Sequence, residues 1–135
     1  MPKKLQVKIG DSVFEATFLE KLAPVTCATI LKHLPYEGEG LPVRWSGEAI
    51  YVNWNMGEKL AKENETIYGS AGDIAWQVVD NDEFFVANGP AQYRWKSGPL
   101  LSNLFARITD NLEELDRVCN EIRQKGAKKV SLKAI

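Results

Sequence analysis

Arg44, Glu48, Tyr51, Glu83, Phe85, Tyr93, Arg94 and Trp95 are the side chains of this sequence best suited to hold or act on a small molecule. Each arginine can grip a carboxylate or another planar anion through paired N–H donors, which the point charge of a lysine does not do. Aromatic rings offer such a ligand a flat apolar surface and attract cations. Glu83 or Glu48 beside Arg44 would be placed for general acid/base work. A plainer reading stands beside this one. In it, Arg44 pairs with Glu48 or Glu83 as a structural ion pair, and Trp45 and Trp54 are core.

The inventory excludes several chemistries. With His33 as the single histidine, neither a His-based triad nor a His-rich metal site can be assembled. Cys27 and Cys119 are too few for a disulfide scaffold and fit no zinc spacing. The Asp80-Asn81-Asp82 segment has acidic residues but not the calcium-loop pattern, so it reads as a turn. There is no phosphate-binding loop and no Gly-x-Gly-x-x-Gly. No cofactor or metal is called for.

A length of 135 residues suits a single domain, 1–135, with one core. The formal net charge of −1 argues against a dedicated nucleic-acid partner. No apolar run approaches the roughly 20 residues that span a bilayer, and the first residues lack the apolar stretch of a signal peptide. The expectation is a cytoplasmic protein with no membrane or nucleic-acid partner, serving a small-molecule or peptide ligand.

The elements that must position these residues follow from periodicity. Leu5, Val7 and Ile9, then Phe14, Ala16 and Phe18, alternate with polar residues around a Gly10-Asp11-Ser12 turn and predict an antiparallel hairpin. Ala23-Pro24 opens a helix whose buried stripe is Cys27, Ile30, Leu31 and Leu34, with Thr26, Thr29 and Lys32 outside. Pro35 stops it, and His33 near its end is expected to meet the last carbonyls. Tyr36 to Gly40 reads as a loop.

Pro42 to Trp54 is the organising stretch. Apolar parity flips across Ser46-Gly47, from Val43 and Trp45 to Ile50 and Val52, which predicts a hairpin with both apolar sides on the core. Arg44 and Tyr51 then face outward, beside a groove. Residues 55–64 read as a surface loop and 68–73 as a turn. Strands are predicted at Ile74–Val79 and Glu83–Ala87, with 88–99 irregular. Within that segment the exposed run Tyr93-Arg94-Trp95-Lys96 either packs over a barrel mouth or grips a ligand by stacking and charge.

Leu104, Ala106 and Ile108 mark another strand. Asn111 with Glu114 makes a capping-box start for a helix striped by Leu112, Leu115, Val118, Cys119 and Ile122 and closed by Gly126. Val130 and Leu132 belong to a last strand beside the first. The result is a mainly β chain, a closed antiparallel barrel capped by a helix at each end.

Several segments resemble the cyclophilin-like barrel. Ala23-Pro24-Val25-Thr26-Cys27 is similar to the Pro-Lys-Thr helix start of cyclophilins, and Arg44 falls where their His-Arg-Val-Ile hairpin carries a catalytic arginine. Glu83-Phe84-Phe85 is similar to their Gln-Phe-Phe-Ile strand, and Leu104-Phe105-Ala106-Arg107-Ile108 to their Val-Phe-Gly-Lys-Val strand. By this resemblance Arg44 and Phe85 keep an arginine and a proline-pocket aromatic. Glu83 replaces the glutamine, the Gln-Gly-Gly-Asp segment is absent, and no histidine occurs after His33. Arg-Trp-Ser-Gly-Glu-Ala at 44–49 and Asn-Leu-Phe-Ala-Arg-Ile at 103–108 resemble a bacterial group of cyclophilin-like proteins of unknown function, DUF3830. That likeness implies a fold and no reaction.

Three functions compete. One is a module binding a small anionic or amide-containing ligand or peptide beside the 42–54 hairpin. Another is an enzyme, either a residual prolyl isomerase or a carboxylate acid/base catalyst on a small amide. The third is a structural homo-oligomer, since four tryptophans, with Trp95 on a loop, suggest a surface covered by another subunit. If helices cap opposite ends, Cys27 and Cys119 enter the barrel from opposite sides and stay unpaired, because a disulfide needs Cα atoms within about 7 Å.

Overall fold

The computed structural model describes residues 3–135. Its strands in chain order are β1 (Lys4–Ile9), β2 (Ser12–Phe18), β3 (Tyr36–Pro42), β4 (Gly47–Asn53), β5 (Glu65–Thr66), β6 (Tyr68–Gly69), β7 (Asp73–Gln77), β8 (Glu83–Gln92), β9 (Arg94–Trp95), β10 (Gly98–Pro99), β11 (Ser102–Ile108) and β12 (Lys128–Ala134). Helix α1 (Pro24–Lys32) lies between β2 and β3, and α2 (Leu112–Lys125) between β11 and β12.

Eight of these strands run in the order β2-β1-β12-β3-β4-β8-β7-β11, and β11 pairs back onto β2 to close an antiparallel barrel. Closure leaves no long edge strand to pair with another chain. Leu5, Val7, Ile9, Phe14, Ala16 and Phe18 are all buried inside, as their alternation requires. They meet Ile50, Val52, Ile74, Trp76, Phe84, Val86, Phe105, Val130 and Leu132 in one core.

The helices close the two ends. α1 sits where β2 ends and β11 begins, and its Cys27 thiol donates to the Phe105 carbonyl at 3.3 Å. α2 sits at the other end, where its buried Leu115, Val118, Cys119 and Ile122 cover the core and its Glu114 accepts from the Ser12 hydroxyl. Both cysteines are free and buried.

The organising hairpin is real, but its first strand lies earlier in the chain. β3 starts at Tyr36, in the segment expected to be a loop, and pairs with β4 through Gly40 opposite Val52 and Pro42 opposite Ile50. Its glycines, which lower strand propensity, are needed for packing. A Cβ on Gly38 would meet the Tyr36 ring, and one on Gly40 would meet Val130, Ile50 and Ile122. Residues 43–46 are therefore the loop. Trp45, expected in the core, is 41% exposed.

Other differences have local causes. β8 runs on to Gln92 because its pairing with β4 jumps from Ala49–Ala87 to Gly47–Ala91, so Asn88, Gly89 and Pro90 bulge outward. A bulge between Leu104 and Ala106 turns Phe105 into the core next to Ala106. Asn111 adopts a left-handed conformation and makes no side-chain cap, while Glu114 bonds Ser12 and Arg117 instead of closing a capping box. Thr26, expected outside, is buried. His33 meets the Glu58 carboxylate at 2.7 Å rather than the helix carbonyls with its ring.

Candidate functional site

The outer face of the sheet β4-β8-β7 carries a second, smaller apolar cluster. Ala49, Ala75, Phe85, Ala87 and Ala91 point away from the barrel interior, and Tyr93 and Leu100 cover them from the chain that follows β8. Tyr93 lies flat on Phe85, with ring centres 4.7 Å apart and planes 16° from parallel. Alanines on this face make a shallow platform on which such a ring can lie. The β9–β10 hairpin then folds over as a flap, held by the Leu100 amide donating to the Tyr93 carbonyl at 2.8 Å.

Between that flap and the loop 43–46 runs a groove of about 370 Å³. Phe85, Tyr51 and Leu100 line it together with Val43, Trp45, Trp95, Arg44, Arg94, Ser46, Asn53 and Glu83. Ser46 ties its two walls together. Its hydroxyl donates to the Arg94 carbonyl and accepts from the Arg94 amide, both at 3.0 Å, and its carbonyl accepts from Gln92 at 2.9 Å. Trp45 and Trp95 meet edge to face across the rim, 5.6 Å between centres, and Lys96 stands 5.2 Å over the Trp95 ring.

Six of the eight residues singled out from sequence line this groove: Arg44, Tyr51, Glu83, Phe85, Arg94 and Trp95. Glu48 does not. It points toward α2, where its carboxylate stands 3.2 Å from Arg123. Tyr93, expected to be exposed, is fully buried beneath the flap, where burial and then the Asp73 carboxylate push its phenol pKa upward. Its hydroxyl has no hydrogen-bond partner. The expected pairing of Arg44 with Glu48 or Glu83 is not formed, and among the described residues neither Arg44 nor Arg94 makes an ion pair. The Nε of Arg94 is buried without a partner.

Glu83 begins β8 opposite Asn53, one outward position from Phe85 opposite Tyr51. Its carboxyl is pushed up to about 7, chiefly by burial, then by Asp82 and Asp80, against a lowering bond from Gln77. Gln77 is itself buried, and its amide holds the 80–82 turn by donating to Asp80 and Asp82 at 3.4 Å. The groove thus has cations on its loop and flap walls, an acid held partly protonated at one end, and aromatics between.

The sequence reading missed Val43, Ser46, Asn53 and Leu100, and placed Trp45 in the core. The Ser46-Gly47 step was visible as a turn, but nothing local indicated that the serine side chain would bridge to a segment 48 residues away.

The DUF3830 family model, described as a protein of unknown function, matches residues 5–134. The chain belongs to that family. No curated protein matches it in sequence. Among solved structures, McbB in complex with tryptophan superposes with a TM-score of 0.69 at 14% identity, covering 96% of this chain and 44% of McbB. This chain therefore spans less than half the length of that protein. The hypothetical protein AF2241 from Archaeoglobus fulgidus superposes with a TM-score of 0.67 at 18% identity, covering 98% of this chain and 94% of the other. At such identities the likeness extends to the fold. No helix among the described residues is long and apolar enough to cross a membrane.

Proposed function

We propose that this DUF3830 domain is a small-ligand-binding module whose outer-face groove holds a planar anion, in the first place a carboxylate with an aromatic body. The observation that carries the reading is the pair Arg44 and Arg94, lining one aromatic-floored groove with no carboxylate partner of their own. The Arg94 guanidinium, with its Nε buried and no counter-charge, is costly, and a ligand carboxylate would supply one bidentately beside the exposed Arg44. Tyr51 and the tryptophan pair give the ligand's body a surface for stacking, above a floor to which the buried Phe85 contributes an edge. A barrel of the same fold, McbB, has been captured with tryptophan, which makes aromatic amino acids sensible first probes.

The test is a thermal-shift screen against small carboxylates, cyclic amides and tryptophan, on the wild type and Arg44→Ala. Carboxylates should stabilise the wild type and lose roughly tenfold or more in affinity with the variant. Identical behaviour of the two proteins toward every probe would remove the groove from consideration.

The Trp45–Trp95 pair favours a second reading, contact between copies of the chain. Trp45 is 41% and Trp95 46% exposed, and adjacent exposed tryptophans are common at interfaces. Light scattering that gives a monomer at high concentration would dispose of it. An enzymatic role would rest on Glu83 as the proton-transfer group. In a chymotrypsin-coupled assay of proline isomerisation the expected rate is that of the uncatalysed reaction, since that chemistry needs a dry apolar proline pocket with a donor at the twisting amide, and this groove carries the Glu83 carboxyl instead.

A further inference from the structure

Opposite charges line the groove without neutralising each other. Arg44 and Arg94 belong to its loop and flap walls, whereas Glu83 lies where β8 begins, beside Asn53. None of the ion pairs among the described residues joins them; Glu48 takes Arg123 and Glu58 takes Lys32 instead. Phe85 and Tyr51 fill the floor one outward position from Glu83 and Asn53, about 7 Å along the strands. Oppositely charged groups left apart over an apolar floor fit a molecule that carries both complementary charges at that spacing.

We infer that the ligand is a zwitterion, an aromatic or similarly flat molecule whose carboxylate meets Arg44 and Arg94 and whose protonated amine meets Glu83. This rests on the proposal that the groove binds a carboxylate. Glu83 is suited to the part. Burial and the two neighbouring aspartates disfavour its charge, and among the described residues no cation forms an ion pair with it. An ammonium bound there supplies that cation and draws the carboxyl pKa down, so binding near pH 7 releases a proton. Asp80 and Asp82 stand behind Glu83 and add attraction for an amine without lining the groove. A ligand with a carboxylate alone would set a second anion in the same cleft as Glu83.

Three probes of one shape separate the parts: 3-phenylpropionate, phenethylamine and phenylalanine, each titrated calorimetrically at pH 7.5 into wild type, Glu83→Gln and Arg44→Ala. Phenylalanine should bind the wild type roughly tenfold more tightly than 3-phenylpropionate. Glu83→Gln should erase that preference, with 3-phenylpropionate bound as well as before or better. Arg44→Ala should weaken both acids. Repeating the phenylalanine titration at pH 7 in buffers of different ionisation enthalpy should show net proton release by the wild type, and its absence would count against Glu83 as the amine's partner. Equal binding of the two acids by the wild type, or a preference that survives in Glu83→Gln, overturns the zwitterion and leaves the anion groove standing. Absence of binding by either acid overturns both. Circular dichroism melts of the variants guard against misfolding, and the proton count on wild type needs no variant.

Discussion

Phe84 and Val86 on the inner face of β8 are fully buried among Ile50, Val52, Ile74 and Trp76, while Phe85 and Ala87 on its outer face are as well buried under a short flap. The inner cluster takes buried residues from seven of the eight barrel strands and both helices, with the partly buried Tyr36 of β3 packed against it. The outer one is mostly alanine with Phe85, Tyr93 and Leu100. They differ most in their polar atoms. The buried side-chain atoms without a hydrogen-bond partner are Glu48 Oε2, Asn88 Oδ1, Tyr93 Oη and Arg94 Nε among the described residues. All of them belong to β4, β8 or the flap that follows. Tyr93 Oη and Arg94 Nε lie in the flap over the outer face, whereas Glu48 Oε2 stands 3.2 Å from Arg123 and Asn88 donates to Asp116 of α2. Unpaired buried polar groups are costly, so the two in the flap mark where the fold gives up stability, and such departures gather at functional sites.

The comparison can be broken first where the effect is largest. Trp76 is fully buried in the inner core, and its indole donates to Asn81 at 2.9 Å. Trp76→Ala should cost about 4 kcal/mol through lost burial and cavity formation, read as a fall in the urea midpoint. A loss below about 1 kcal/mol would mean that the inner core is not the main source of stability.

Tyr93→Phe tests the other face. It keeps the stack on Phe85 and deletes a buried hydroxyl that has no partner. The expected result is a stabilisation of up to about 1 kcal/mol, the opposite sign from an ordinary buried tyrosine. A destabilisation would show that the hydroxyl is satisfied in solution and that the outer face carries less strain than its geometry indicates.

The two regions were also unequally legible in the sequence. Period-two alternation in β1, β2 and β12 and the helical stripes of α1 and α2 found the inner core, because each side chain there obeys its own local pattern. Gly38 and Gly40 hid β3, since the smallness of Gly40 answers to Val130 and Ile122, which are close to it only in three dimensions. Glu63 was equally hidden. From a polar loop it caps α1 at a distance, accepting from the Val25 amide at 3.1 Å and from the Thr26 amide and hydroxyl at 2.8 Å. Of the candidate site, the outward residues of β4 and β8 were readable by parity. Tyr93 and Glu48 were misplaced because a flap and a helix, neither of them local, decide which way they point.

Glu83 gives a smaller effect with a definite pH window. Its folded pKa lies near 7, above the ordinary value of 4.5, so the folded state holds the proton more tightly than the unfolded chain. The favourable contribution is complete below about pH 4.5 and is lost as pH rises through 7. Glu83→Gln removes the titration. It should match the wild type near pH 4.5 and exceed it at pH 8 by about 1 kcal/mol, a figure reduced for the solvent that reaches the carboxyl. Parallel stability curves for the two proteins from pH 4.5 to 8 would show that the carboxyl is ordinary, and the groove would lose its acidic end.

The smallest expected effect is none at all. Cys27 and Cys119 are buried in the inner core, one in each capping helix, and both thiols are pushed up to about 12. Burial is the main cause for each, with Glu20 and Glu63 adding to it at Cys27 and Asp116 at Cys119. At pH 8 the thiolate fraction is then on the order of one part in ten thousand, and the thiolate is the reactive form. A chromogenic disulfide reagent should find no reacting thiol in the native protein over minutes and two in denaturant, without prior reduction. Because each thiol lies under one helix, slow labelling followed by peptide mapping reports which end of the barrel opens first. α1 has 9 residues and no acidic residue in its first turn, against 14 residues in α2 with Glu113 and Glu114 there. Cys27 should therefore label before Cys119. Native reaction of either thiol at the rate of a free cysteine would mean that its helix does not seal the inner core, and the contrast between a closed interior and an open outer face would fail at that end.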